Sequence, residues 1–199
     1  DYVSALQREL ELWGSLLRTP QTSTIFFGGG TPSYLPIDDL SRVIETINRV
    51  FDVNSDAEIS LEANPGDIDA TRAAALKDVG FNRVSVGIQS FDDGLLQMLG
   101  RRHDAKTAVA AIRDFRDGGF DSISLDLMFG LPTQALQQWE ASLVSALEMD
   151  TEHISLYGLT IEPNTPLEVI VERGDLPEPD GDLAADMYLM ACERLEAAG

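Results

Sequence analysis

Apolar positions along the chain switch repeatedly between two periods. From Tyr2 to Leu17 they fall at Val3, Leu6, Leu10, Trp13 and Leu17, the three-or-four spacing of one helix face. Thr24 to Phe27 then predicts a strand, and Pro36 with Asp38 opens a helix carrying Leu40, Val43, Ile44, Ile47 and Val50. A strand is predicted from Glu58 to Ala63. Asp69 is placed to cap a helix that runs to Val79 and stops at Gly80. Strand Arg83 to Gln89 leads to a short helix near Asp92 to Leu99 and a longer one from Ala105 to Arg116. After Gly118-Gly119 the pattern predicts a strand from Ser122 to Met128, a helix from Leu136 to Glu148 and a strand from His153 to Thr160. A proline-rich acidic stretch, about 162–182, reads as a polar loop or lid before a last helix, Leu183 to Ala198.

Strands separated by helices run parallel and are joined by right-handed crossovers, so the fold class is α/β, with 1–199 read as a single core domain. Three strands share one alternation. Ile59 and Leu61 oppose Ser60 and Glu62; Val84, Val86 and Ile88 oppose Ser85, Gly87 and Gln89; Ile123, Leu125 and Leu127 oppose Ser122, Ser124 and Asp126. Side chains alternate faces along a strand, so one sheet face is apolar and helix-covered while the other is small and polar. A sheet polar on one side differs from a doubly wound sheet, whose strands are apolar throughout. It suits a curved, TIM-like partial barrel with a ligand at the C-terminal strand ends. Because the chain opens on a helix, the strand that should precede it in such a barrel is expected to be missing.

Composition narrows the function. The 199 residues carry 34 acidic against 14 basic side chains, a net charge of −20, which disfavours nucleic acid and anionic membrane surfaces. No apolar run reaches the roughly 20 residues of a membrane span, so no membrane insertion is expected and a cytoplasmic location is the default. Cys192 is the one cysteine, which leaves no internal disulfide and no multi-cysteine metal site in this chain.

The chemistry gathers at predicted strand ends. Gly28-Gly29-Gly30-Thr31-Pro32-Ser33 follows the strand Thr24 to Phe27, and glycines there let a backbone approach a ligand closely; plain tight turns use the same residues. Glu62 precedes Asn64-Pro65-Gly66, where it either caps a turn or meets a ligand. Gln89 offers donor and acceptor together, as a satisfied buried amide or as a partner for hydroxyls. Arg101 can form a bidentate pair with a carboxylate or a surface ion pair of little energy. Asp126 lies within an otherwise apolar strand, where burying it unpaired costs several kcal/mol, so it must meet water, a partner or a ligand. His103 and His153 read as structural, Cys192 as a small buried hydrophobe, and Trp13 and Trp139 as core.

These residues stand in blocks that resemble a known family. Phe27-Gly28-Gly29-Gly30-Thr31-Pro32-Ser33, Glu62-Ala63-Asn64-Pro65-Gly66, Arg83 to Phe91, Leu99-Gly100-Arg101, Leu125 to Pro132 and Leu159 to Pro166 are similar to successive blocks of radical S-adenosylmethionine (SAM) proteins. Within that superfamily they resemble the oxygen-independent coproporphyrinogen III oxidase-like group, and in it the heme chaperone branch. The resemblance implies a partial (β/α)6 radical SAM barrel with a [4Fe–4S] cluster and S-adenosylmethionine at its mouth. It implies cofactor contacts at Gly29, Gly30 and Thr31 and at Glu62 toward the amino-acid end, Arg101 on the methionine carboxylate, Gln89 and Asp126 on ribose, and Gly158 near adenine. It further implies heme or a porphyrinogen as cargo or substrate and heme-accepting client proteins as partners, with the porphyrinogen oxidase as the alternative activity. The family holds its cluster on three closely spaced cysteines, which this chain lacks. They are expected upstream of Asp1, so no catalytic or metal-ligating residue is assigned in the chain, and by itself it is expected to be inactive.

Overall fold

The computed structural model describes residues 2–17 and 21–199, which carry eight α-helices and five strands, each strand followed by one or two helices. Helix α1 is Tyr2–Leu17, β1 Gln21–Phe27, α2 Ile37–Val50, β2 Asp52–Ala63, α3 Ala70–Val79 and β3 Arg83–Gln89. They are followed by α4 Asp93–Met98, α5 Ala105–Asp117, β4 Ile123–Phe129, α6 Leu136–Glu148, β5 His153–Gly158, α7 Pro166–Glu172 and α8 Gly181–Ala198. The strands stand in the sheet in chain order, β1-β2-β3-β4-β5. The chain divides into two compact units, one of residues up to Val86 with Ala110–Ile123, the other of Gly87–Val109 with Ser124–Gly199.

In the first unit β1 pairs parallel with β2, and β2 with β3 from Ser60↔Arg83 to Ala63↔Val86. Helix α2 buries Leu40, Val43, Ile44 and Ile47, the stripe that a 3.6-residue period requires, and Asp38 and Asp39 sit in its first turn where the helix dipole favours negative charge. Val43 and Ile47 pack with Val3 of α1, and half-buried Leu6, Leu10, Ile25 and Phe27 extend that cluster. Asp69 caps α3 by accepting the Arg72 amide at 2.7 Å, and Gly80 ends it at φ 118°, as the sequence predicts. The Asn82 side chain bridges two points of β2, accepting from the Ile59 amide and donating to the Ala57 carbonyl.

In the second unit β4 pairs parallel with β5 from Ser124↔His153 to Phe129↔Gly158. Trp139 of α6 is fully buried and donates its indole N–H to the Met187 carbonyl of α8 at 2.8 Å, so the large ring is packed without a stranded donor. Along β3 burial alternates strictly, with Val84, Val86 and Ile88 inside, and Leu125 and Leu127 of β4 are buried on either side of half-buried Asp126. The predicted division into an apolar and a polar face therefore holds along each of these strands.

Three expectations are corrected. Strand β2 begins at Asp52, not Glu58, because Asn54 to Ala57 form an irregularity opposite Ser23 that hides the strand's period. The stretch about 162–182 contains helix α7, started by Pro166 at its first position and by Thr165, whose hydroxyl accepts the Glu168 amide. Trp13 is 49% exposed beside exposed Leu12, Leu16 and Leu17, so it is not core.

Candidate functional site

The glycine-rich turn leaves β1 at its C-terminal end. Gly29 has φ 110°, a conformation that L side chains rarely adopt, and its amide donates to the Glu62 carboxylate at 3.1 Å. Glu62 is the penultimate residue of β2. One residue past the end of that strand, the Asn64 side chain donates to the Thr31 hydroxyl at 2.9 Å, so the turn is held from below at two points. Arg72 of α3 donates its guanidinium to the Ser33 and Leu35 carbonyls, which fixes the short 3-10 turn Pro32–Tyr34 behind the glycines. These side chains hold the turn open without filling it: a Cβ at Gly29 or Gly30 would meet nothing within 4 Å. Sequence reasoning did not identify Arg72 or Asn64 as supports. Asn64 before Pro65 carries a turn signal, whereas Arg72 carries none.

In the second unit, Gln89 is the last residue of β3 and has φ 70°. The Ser90 amide donates back to the Ile88 carbonyl at 2.9 Å, so Gln89 is the centre of a tight γ-turn. Holding a glutamine there costs about 1 to 3 kcal/mol, and such backbone strain concentrates at ligand sites. Arg101 donates to the Gly87 carbonyl at 3.1 Å, and burial pushes its guanidinium below the usual value. His103 is buried and its Nε2 lies 3.1 Å from the Ile88 carbonyl. Burial lowers the His103 pKa; the Ile88 hydrogen bond opposes this, Arg101 adds to it and Asp104 opposes it. Asp126 pairs in register with Ser155, and two residues earlier on β4 the Ser124 hydroxyl meets His153 Nδ1 at 2.8 Å. Gly158 ends β5, where an added Cβ would press on the Phe129 ring at 3.2 Å.

Each unit also has a hollow. In the first, a cavity of about 520 Å³ is lined by Tyr2, Leu6, Ile25 and Phe27 and reaches Gly30 and Thr31; its apolar walls do not suit a zwitterion. In the second, a polar hollow of about 410 Å³ lies among Asp93, Gln97, Arg101, Arg102, His103 and Asp104. Among the described residues no group of three or more His, Cys, Asp or Glu is arranged to hold a metal ion, and Cys192 is a half-buried free thiol on α8. No helix among them is long and apolar enough to cross a membrane.

A parallel α/β chain with glycines, carboxylates and amides at the C-terminal ends of its strands has the pattern of the β/α-barrel class, in which those ends are where ligands bind. The model of the Radical SAM superfamily matches residues 6–146, and the chain belongs to that superfamily. It is 40% identical to the heme chaperone HemW of Bacillus subtilis, over all of this chain and 53% of the relative. It is 41% identical to the mouse mitochondrial radical S-adenosyl methionine domain-containing protein 1, over 90% of this chain and 40% of the relative. The chain thus spans about half the length of the curated relatives it matches. Its structure is similar to that of the Escherichia coli coproporphyrinogen III oxidase HemN, a radical SAM enzyme. The TM-score is 0.85 and the identity 28%, over all of this chain and 45% of the other. This shows the fold to be a partial parallel barrel of the radical SAM type.

Proposed function

We propose that this chain is the S-adenosylmethionine-binding core of a heme chaperone, and that the whole protein also holds a [4Fe–4S] cluster. The reading is supported by the polar groups that each unit carries at its strand ends, whose chemistry suits different parts of S-adenosylmethionine. Glu62 suits the cofactor's ammonium or sulfonium charge, and the backbone groups of Gly29, Gly30 and Thr31 suit the methionyl end. Arg101 suits the carboxylate, Gln89 and Asp126 the ribose hydroxyls, and the bare backbone at Gly158 the adenine. The residues present do not fit the cluster itself, since Cys192 is the single thiol, so we assign its ligands to cysteines outside residues 1–199.

Heme as cargo and heme-accepting proteins as clients are supported by the identity to HemW over the whole of this chain. A cytoplasmic location goes with this reading, and a single free cysteine is compatible with a reducing compartment. The likeness to HemN favours a second reading, oxidation of coproporphyrinogen III. One experiment separates them: anaerobic incubation of the full-length reconstituted protein with S-adenosylmethionine, a one-electron reductant and a terminal electron acceptor, and either hemin or coproporphyrinogen III. A stable heme complex, followed by absorbance, with no decarboxylated porphyrinogen by mass spectrometry supports the chaperone. Loss of two carboxyl groups from the porphyrinogen supports the oxidase.

A further inference from the structure

The turn at Gln89 is held from the loop after α4, and one of the two side chains that hold it, His103, has no ligand role. Two successive carbonyls at the end of β3 are taken by the loop after α4: Gly87 by Arg101 at 3.1 Å and Ile88 by His103 Nε2 at 3.1 Å. The Ile88 carbonyl is also the acceptor that closes the γ-turn through the Ser90 amide. A carbonyl only accepts, so the His103 nitrogen facing it carries the hydrogen. Beyond the turn the chain is pinned again. The Phe91 amide donates to the Ser142 hydroxyl at 3.3 Å, the Asp92 amide to the Ser90 hydroxyl at 3.1 Å, and Gln138 of α6 to the Asp92 carboxylate at 2.9 Å.

A glutamine at φ 70° relaxes to an extended conformation unless its surroundings over-determine it, and that relaxation would swing the side chain away. His103 is the buried side chain that meets the acceptor of that turn. We propose that His103 is a positioning residue: by donating to the Ile88 carbonyl it keeps Gln89 in the left-handed conformation that presents its amide to the cofactor. The proposal rests on Gln89 being a cofactor contact. Pre-organising a ligand-binding side chain in this way moves the cost of ordering it from binding to folding.

The test measures S-adenosylmethionine affinity by calorimetry on the full-length cluster-loaded protein. It is read beside melting temperatures and hydrogen exchange of the segment 87–92, for His103→Leu, His103→Gln and Gln89→Ala. Glutamine places an N–H donor near the position of Nε2. We expect His103→Leu to weaken binding about tenfold and to speed exchange of the segment, and His103→Gln to recover most of both. If His103→Leu does not fold, His103→Asn, too short to reach the carbonyl, takes its place with the same expectation. Wild-type affinity in the Leu or Asn variant, with loss in Gln89→Ala, overturns the positioning role. Loss in all His103 variants, glutamine included, in step with melting temperature also overturns it and leaves His103 a packing residue. Unchanged affinity in Gln89→Ala overturns the assignment of Gln89 on which the proposal stands.

Discussion

At the scale of single residues the sharpest assignment concerns Asp126, a carboxylate flanked by Leu125 and Leu127 on β4. Asp126→Ala in the full-length protein should weaken S-adenosylmethionine binding by about 1.5 to 3 kcal/mol, the worth of hydrogen bonds to a charged group. Melting should change less, because the residue is half-buried and its truncation opens no core cavity; titration calorimetry beside thermal melts checks both. His103 adds a pH dependence. Its folded pKa lies below its unfolded one, so between the two the unfolded chain binds the extra proton, and stability is lost as pH falls below about 6.5. Denaturant midpoints from about pH 7.5 to 5 should therefore fall more steeply for the wild type than for His103→Gln. Much at this scale is legible in the sequence: a polar residue in an alternating strand, or a glycine run after one, announces itself without coordinates. The left-handed Gln89 and the Arg101 bond to Gly87 do not, since nothing local distinguishes Gln89 from an extended residue and the Arg101 acceptor is a carbonyl 14 residues away in the chain.

At the scale of elements, bounds were legible wherever period and punctuation agreed. Helix α3 is an instance, with Asp69 before it and Gly80 after it, and β3 another, with apolar and polar residues alternating over its whole length. They were hidden where one signal masked the other: Asn54 to Ala57 interrupt the period of β2, and the prolines around α7 obscure a helix that Thr165 and Pro166 in fact begin. The punctuation itself is testable. Asp69→Ala should destabilise the first unit by about 1 kcal/mol through the lost cap on the Arg72 amide, seen as a lower denaturant midpoint. Gly118→Ala should cost more, about 1 to 3 kcal/mol, because a Cβ there would stand 2.6 Å from the Ala73 Cβ and 2.8 Å from the Ala74 amide nitrogen, and backbone must yield. An Asp69 effect equal to or larger than the Gly118 effect would mean that the α3 contact is softer than its distances indicate.

For the whole molecule, the strand ends and the thiol inventory point in different directions. The proposed S-adenosylmethionine contacts call for a [4Fe–4S] cluster beside them, yet such a cluster is held by cysteine thiolates, and the 199 residues have only Cys192, half-buried on α8. The isolated chain should therefore bind no stable cluster and release no 5′-deoxyadenosine after anaerobic reconstitution with iron and sulfide. The 34 carboxylates complicate the reading, because hard oxygen ligands retain iron loosely even where no thiolate site exists. Iron held in that way exchanges into a chelator and carries no matching sulfide, whereas a thiolate-bound cluster keeps iron and sulfide in equal amounts with its own visible absorbance. Washing with chelator before assaying iron, sulfide and absorbance thus separates the two. Equal, chelator-resistant iron and sulfide on residues 1–199, abolished by Cys192→Ser, would show that Cys192 anchors a cluster and would overturn the assignment of the ligands to another part of the protein.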